Sequence, residues 1–140
     1  MSLVWSIDPE KRLMTAIAAG EVTRADVEAF FEETTAAGAA ACYKLFDGSA
    51  IETTLDPEDM LALGVRMRSL YQPGSEMGPL AIVLPLHVME LAHRMVGILA
   101  VADRPMRVFI EVEAARTWLE EKGCALHQPK TAKRGPPRKR

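Results

Sequence analysis

The chain has 140 residues, 49% of them hydrophobic and 26% charged, which is the length and composition of one globular domain. No stretch approaches the roughly 18 continuous apolar residues of a membrane span, and two unclustered cysteines, Cys42 and Cys124, supply neither a disulfide framework nor a metal knuckle. The formal charge of −2 conceals a division: residues 126–140 hold six basic residues and no acid, leaving 11 basic against 19 acidic residues in the rest.

Val4–Asp8 alternates apolar and polar residues, as a half-buried strand does. Asp8-Pro9-Glu10-Lys11-Arg12 reads as a turn into a second strand, Leu13–Ala19, closed by Gly20. Thr23-Arg24-Ala25-Asp26 approximates a capping box, with Asp in place of Glu, and opens a helix that sets Val27, Phe30 and Phe31 at helical spacing. That helix fades in the Ala/Gly-rich stretch Ala36–Ala41. A third strand, Cys42–Phe46, is expected to end at Asp47-Gly48-Ser49, with a loop from there to Asp56. Asp56-Pro57-Glu58-Asp59 is the clearest helix start: a cap, a proline suited to the first helical position, and two acids that complement the dipole. Met60, Leu63, Gly64, Met67, Leu70 and Tyr71 mark its inner face, and Gln72-Pro73-Gly74 stops it.

Leu80–Leu84 is a continuous apolar run between prolines, the pattern of a strand covered on both faces. A helix follows over His87–Ala102, with Val88, Leu91, Ala92, Met95, Leu99 and Ala102 inward. Asp103-Arg104-Pro105 turns the chain into a last strand, Met106–Phe109. The closing helix runs from about Glu111 to Lys122, burying Ala114, Ala115, Trp118 and Leu119, and Gly123 supplies its stop.

The order β-β-α-β-α-β-α-β-α predicts an α/β domain over residues 1–125: a mainly parallel five-stranded sheet with one antiparallel edge strand. Residues 126–140 form a basic tail with nothing large and apolar beyond Leu126. It cannot offset an ordering cost of roughly 1–2 kcal/mol per residue and is expected to be disordered. The N-terminus lacks the basic-then-apolar pattern of a signal peptide, so a cytoplasmic location is expected.

A hairpin, a capped helix after Gly20-Glu21-Val22-Thr23, and the βαβαβα succession resemble the SpoIIAA-like superfamily. That group includes the STAS domains, the anti-sigma-factor antagonists and, more remotely, the lipid-binding CRAL-TRIO domains. The segment Arg107-Val108-Phe109, then Glu111, Glu113, Ala114 and Trp118-Leu119, is similar to the end of small bacterial STAS/SEC14-like proteins, and the resemblance spans roughly residues 4–122. It implies a regulatory or binding module. In STAS antagonists a phosphorylatable Ser or Thr, in an Asp-Ser-Ser-Gly-like motif, opens the helix after the third strand. Here that helix opens with Leu55-Asp56-Pro57-Glu58-Asp59, without a hydroxyl at the cap, and Thr53 and Thr54 before it lack the motif.

In open parallel sheets ligands bind beyond the carboxyl ends of the strands. Those ends offer Glu21 and Thr23, Asp47 and Ser49, His87 and Glu111. Asp47, Ser49, His87 and Arg94 are the candidate ligand- or partner-binding residues. The plainer reading of Asp47-Gly48-Ser49 is a turn that Asp and Ser stabilise. There is no Gly-rich phosphate loop and no Gly-x-Ser-x-Gly, and the three histidines have no metal-ligand spacing. The pattern therefore favours a non-enzymatic module without metal or cofactor, binding a partner protein or a small apolar ligand. Met60, Met67, Met89 and Met95 fill a core or line a pliable pocket. A small enzyme built from Asp47, Ser49 and His87 is the first alternative. Tail-mediated nucleic-acid or anionic-surface binding is the second, weakened by the acidic body. Strands apolar on both faces leave room for a homodimer.

Overall fold

A computed structural model describes residues 2–52, 55–70, 77–90, 93 and 105–125. The elements are β1 (Ser2–Asp8), β2 (Leu13–Glu21), α1 (Arg24–Ala36), β3 (Tyr43–Glu52), α2 (Pro57–Leu70), β4 (Leu80–Val83), a 3₁₀ turn (Leu86–Val88), β5 (Met106–Phe109) and α3 (Val112–Glu121). The five strands form one sheet in the order β1-β2-β3-β4-β5. The β1–β2 pair is antiparallel and the other three pairs are parallel. This is the α/β sheet with one antiparallel edge strand that the sequence predicts. No helix among the described residues is long and apolar enough to cross a membrane.

The alternation of side chains along each strand sets the layers. Met14, Ala16 and Ala18 of β2, Phe46 of β3, and Leu80 and Ile82 of β4 point to one face. There they meet Val27, Phe30 and Phe31 of α1 and Met67 of α2. Leu13, Leu45, Ala81 and Val83 point the other way, under Ala115, Trp118 and Leu119 of α3. Successive parallel neighbours joined by right-handed crossovers place α1 and α2 on the same side, and of the described helices only α3 lies on the opposite one. Because α3 lies over β3, β4 and β5, the same face of the hairpin stays open: Val4 and Ile17, register partners, are 58% and 49% exposed.

Local signals end each element where the chemistry requires. Thr23 and Asp26 cap α1 reciprocally, at 3.2 and 2.9 Å, and Asp56 and Asp59 do the same for α2, at 2.8 and 3.3 Å. The α3 C-terminus is a Schellman motif: Gly123 adopts φ +110°, its N–H donates to the Glu120 carbonyl, and Cys124 N–H donates to the Leu119 carbonyl. Gly38, at φ +80°, closes α1 in the same way through Thr35 and Thr34.

Three expectations are corrected. The third strand does not end at Asp47 but runs on to Glu52. A register shift opposite Ile17 and Ala19 absorbs one extra residue around Gly48 and Ser49, so what reads as a turn is a β-bulge inside the strand. Ala114 is exposed, because Ala115, Trp118 and Leu119 alone give α3 its buried stripe. The segment after β4 opens as a 3₁₀ turn, Leu86–Val88, with helical geometry at Met89, Glu90 and His93. The remainder of the expected 87–102 helix, including Arg94, lies outside the described residues, as do Thr53, Thr54 and the basic tail.

Candidate functional site

β2, β3, β4 and β5 are parallel, so their carboxyl ends share one rim of the sheet. On it lie Glu21 and Glu52 at the ends of β2 and β3, the caps Thr23 and Asp56, the segment Pro85–His87 after β4, and Ile110–Glu111 after β5. Glu21, Glu52, Asp56, Glu58 and Glu111 are all exposed. Arg24 bridges Asp59 at 3.6 Å and Glu28 at 3.8 Å, tying the first turns of α1 and α2 together. Arg66 and Glu32 join the same helices farther along. Such exposed pairs contribute about 0–1 kcal/mol each, so they fix geometry more than stability.

Asp47 sits within β3, just before the bulge. Its Oδ1 accepts from the Ser49 N–H at 3.1 Å and from the Ser49 hydroxyl at 2.8 Å. Gly48 between them is buried against β4: a Cβ there would lie 3.0 Å from Leu84 Cδ2 and 3.1 Å from the Val83 carbonyl. The structure thus brings Asp47 and Ser49 together, but in a self-contained contact within the β3 bulge. Ser49 Oγ donates directly to a carboxylate, whereas a serine nucleophile needs a base of higher proton affinity at that position. His87 is exposed on the 3₁₀ turn, and among the described residues no hydrogen bond or ion pair links it to Asp47 or Ser49. No three His, Cys, Asp or Glu side chains among the described residues converge as metal ligands.

Two residues of this rim escape a reading for polar chemistry. Leu86 is 72% exposed and Ile110 is 50% exposed. They follow neighbouring strands, and the Leu84 N–H donates to the Phe109 carbonyl at 3.0 Å, so the two segments leave the sheet side by side. The signal was available: each is a large apolar residue just past the carboxyl end of a parallel strand, Leu86 opening the 3₁₀ turn and Ile110 directly following β5, where ligands meet such sheets.

No family model, curated protein or solved structure matches the chain.

Proposed function

We propose that the chain is a non-catalytic binding module of STAS-like build, whose carboxyl-end rim docks a protein segment combining apolar and basic side chains. The observation that carries this reading is that Leu86 and Ile110, both exposed, follow neighbouring parallel strands onto a rim that also bears exposed acids. Apolar side chains leaving water supply the affinity, about 1.5–3 kcal/mol for each one fully buried. The carboxylates select against phosphate-bearing partners and for cationic ones. The kinship with SpoIIAA-like proteins is supported by strand order alone: an antiparallel hairpin leading into sequentially placed parallel strands. Asp47, Ser49 and His87 belong to this docking reading as polar neighbours of the rim. The Asp47–Ser49 bond supports it over a hydrolytic one, since the hydroxyl is held by a carboxylate.

The test is photo-crosslinking in cells from a reactive amino acid placed at position 86 or 110, with Glu10 in the β1–β2 turn as the control position. The captured protein is then purified and titrated against the wild-type chain. Leu86→Asp and Ile110→Asp should each weaken that binding tenfold or more, which is 1.4 kcal/mol, and leave the fold unchanged. Adducts with small molecules alone, or affinity insensitive to both substitutions, would refute the reading.

A further inference from the structure

We propose that β1 is a dimerisation edge, pairing antiparallel with β1 of a second copy to give one continuous ten-stranded sheet. Among the described residues the sheet ends at β1 and β5, and these edges are unequally protected. β5 has four residues and carries exposed Arg107, whose guanidinium lies over the Phe109 ring. β1 has seven residues, with an unshifted register from Ser2 opposite Ala19 to Asp8 opposite Leu13. Natural edge strands are blunted by Lys, Pro, bulges or shortness, and between Ser2 and Ile7 β1 has none of these. In an antiparallel pair only alternate residues spend their N–H and C=O groups on the partner strand. The remaining groups of β1 face outward and form a template for one more strand.

A second copy suits this edge better than an unrelated strand because β1 is self-complementary. A two-fold axis at Trp5 sets Leu3 opposite Ile7, Val4 opposite Ser6, Trp5 opposite itself, and Asp8 opposite Ser2. Leu3, Trp5 and Ile7 all pack toward α1, so the apolar row of one copy runs into that of the other. Val4 and Ser6 meet on the open face. The single charged residue of β1, Asp8, faces an uncharged one, so no like charges oppose each other. The contact strip is about 24 Å long and about 10 Å deep, and α1, tied to β1 by the Trp5 Nε1–Glu33 bond at 3.3 Å, adds to it. That lies below the standard size of specific interfaces, which places the dimer among weak, transient assemblies.

The experiment is sedimentation of the full chain across a micromolar dilution series, with circular dichroism to verify folding. The wild-type chain should show a concentration-dependent monomer–dimer equilibrium. V4K/S6K and V4E/S6E each place like charges across both Val4–Ser6 crossings and should sediment as folded monomers. Mixed in equal parts, they should recover the dimer, since charges of opposite sign then face each other. For the wild-type chain, amide exchange at alternate β1 residues should slow as concentration rises, a readout independent of any variant. A wild-type monomer at every concentration overturns the proposal, as does a V4K/S6K protein that still dimerises. Failure of the mixture to recover a dimer overturns the Trp5-centred register.

Discussion

Gly78 is the position where one added carbon should do most damage. It lies just before β4, and its N–H donates to the Ala40 carbonyl at 2.9 Å. A Cβ at Gly78 would stand 2.0 Å from the Cys42 carbonyl oxygen, 2.6 Å from its carbon and 2.7 Å from the Ala41 oxygen. All three are backbone atoms, so no rotamer change relieves the overlap. The chain before β4 must separate from the 40–42 segment by more than an ångström. That separation threatens the Gly78–Ala40 bond and the neighbouring Lys44 N–H to Pro79 carbonyl bond, 2.8 Å long. It also disturbs the buried Lys44, whose Nζ donates to the Ala40 and Cys42 carbonyls. Neutral hydrogen bonds are worth about 1 kcal/mol net and charge-assisted ones about 1.5–3, so Gly78→Ala should cost about 3–5 kcal/mol. Gly38→Ala is the control. Nothing lies within 4 Å of its Cβ, so only the φ of +80° counts against it, at about 1–2 kcal/mol. Urea unfolding followed by circular dichroism measures both. A Gly78→Ala cost no larger than that of Gly38→Ala would refute the steric reasoning.

Other outcomes follow from single contacts. Gly48→Ala should cost about 1–2 kcal/mol by urea unfolding, since Leu84 Cδ2 can move aside but the Val83 carbonyl cannot. Arg12, at φ +53° in the hairpin turn, should gain up to about 1 kcal/mol when changed to Gly, because an L-residue pays a steric cost there; a loss of thermal stability would contradict this. Burial pushes the Cys124 thiol above its ordinary value. The unfolded chain therefore loses that proton first, and the Cys124 contribution to stability, full at neutral pH, declines as pH rises past the ordinary thiol range. In the native protein Cys42, half-buried, should react with a thiol reagent before the buried Cys124, and equal labelling rates would contradict the placement.

What the sequence disclosed depended on how local each signal was. The caps at Thr23 and Asp56 and the stop at Gly123 rest on residues within one helical turn, and each is found where expected. Alternation along Val4–Asp8 and the apolar run at Leu80 likewise report their own burial. The bulge at Asp47–Ser49 was illegible because Asp-Gly-Ser is ordinary turn composition. What keeps it in the sheet is nonlocal: pairing of Ala50, Ile51 and Glu52 with Ala19, Gly20 and Glu21, and the close approach of Gly48 to β4. Ala114 was misassigned for a related reason. It neighbours the buried stripe, and only the position of α3 over the sheet decides which side of that stripe faces water. At the rim the polar residues drew attention, although Leu86 and Ile110 held the telling positions just past β4 and β5, where both are exposed.

The two ends of the sheet divide the work of the fold. At the amino ends, closure is dense. Tyr43 N–H donates to the Arg12 carbonyl, Lys44 to Pro79 and Leu80 to Pro105, so each parallel strand is tied at its first residues to the one beside it. The Tyr43 hydroxyl donates to the Lys122 carbonyl at 3.2 Å, and a Cβ on Gly123 would come within 2.7 Å of the Tyr43 hydroxyl oxygen, so the end of α3 is held to the start of β3. At the carboxyl ends, by contrast, capping side chains are spent on their own helices, as in Thr23–Asp26 and Asp56–Asp59, and the Asp47–Ser49 bond closes on the bulge within β3. Local bonds of this kind hold the rim without covering it, and they leave Leu86, His87 and Ile110 exposed. Substitutions at the amino ends should therefore lower stability without altering the proposed docking rim, while Leu86 and Ile110 can be exchanged with little cost to folding. That separation is what allows a loss of binding at the rim to be told apart from a loss of the domain.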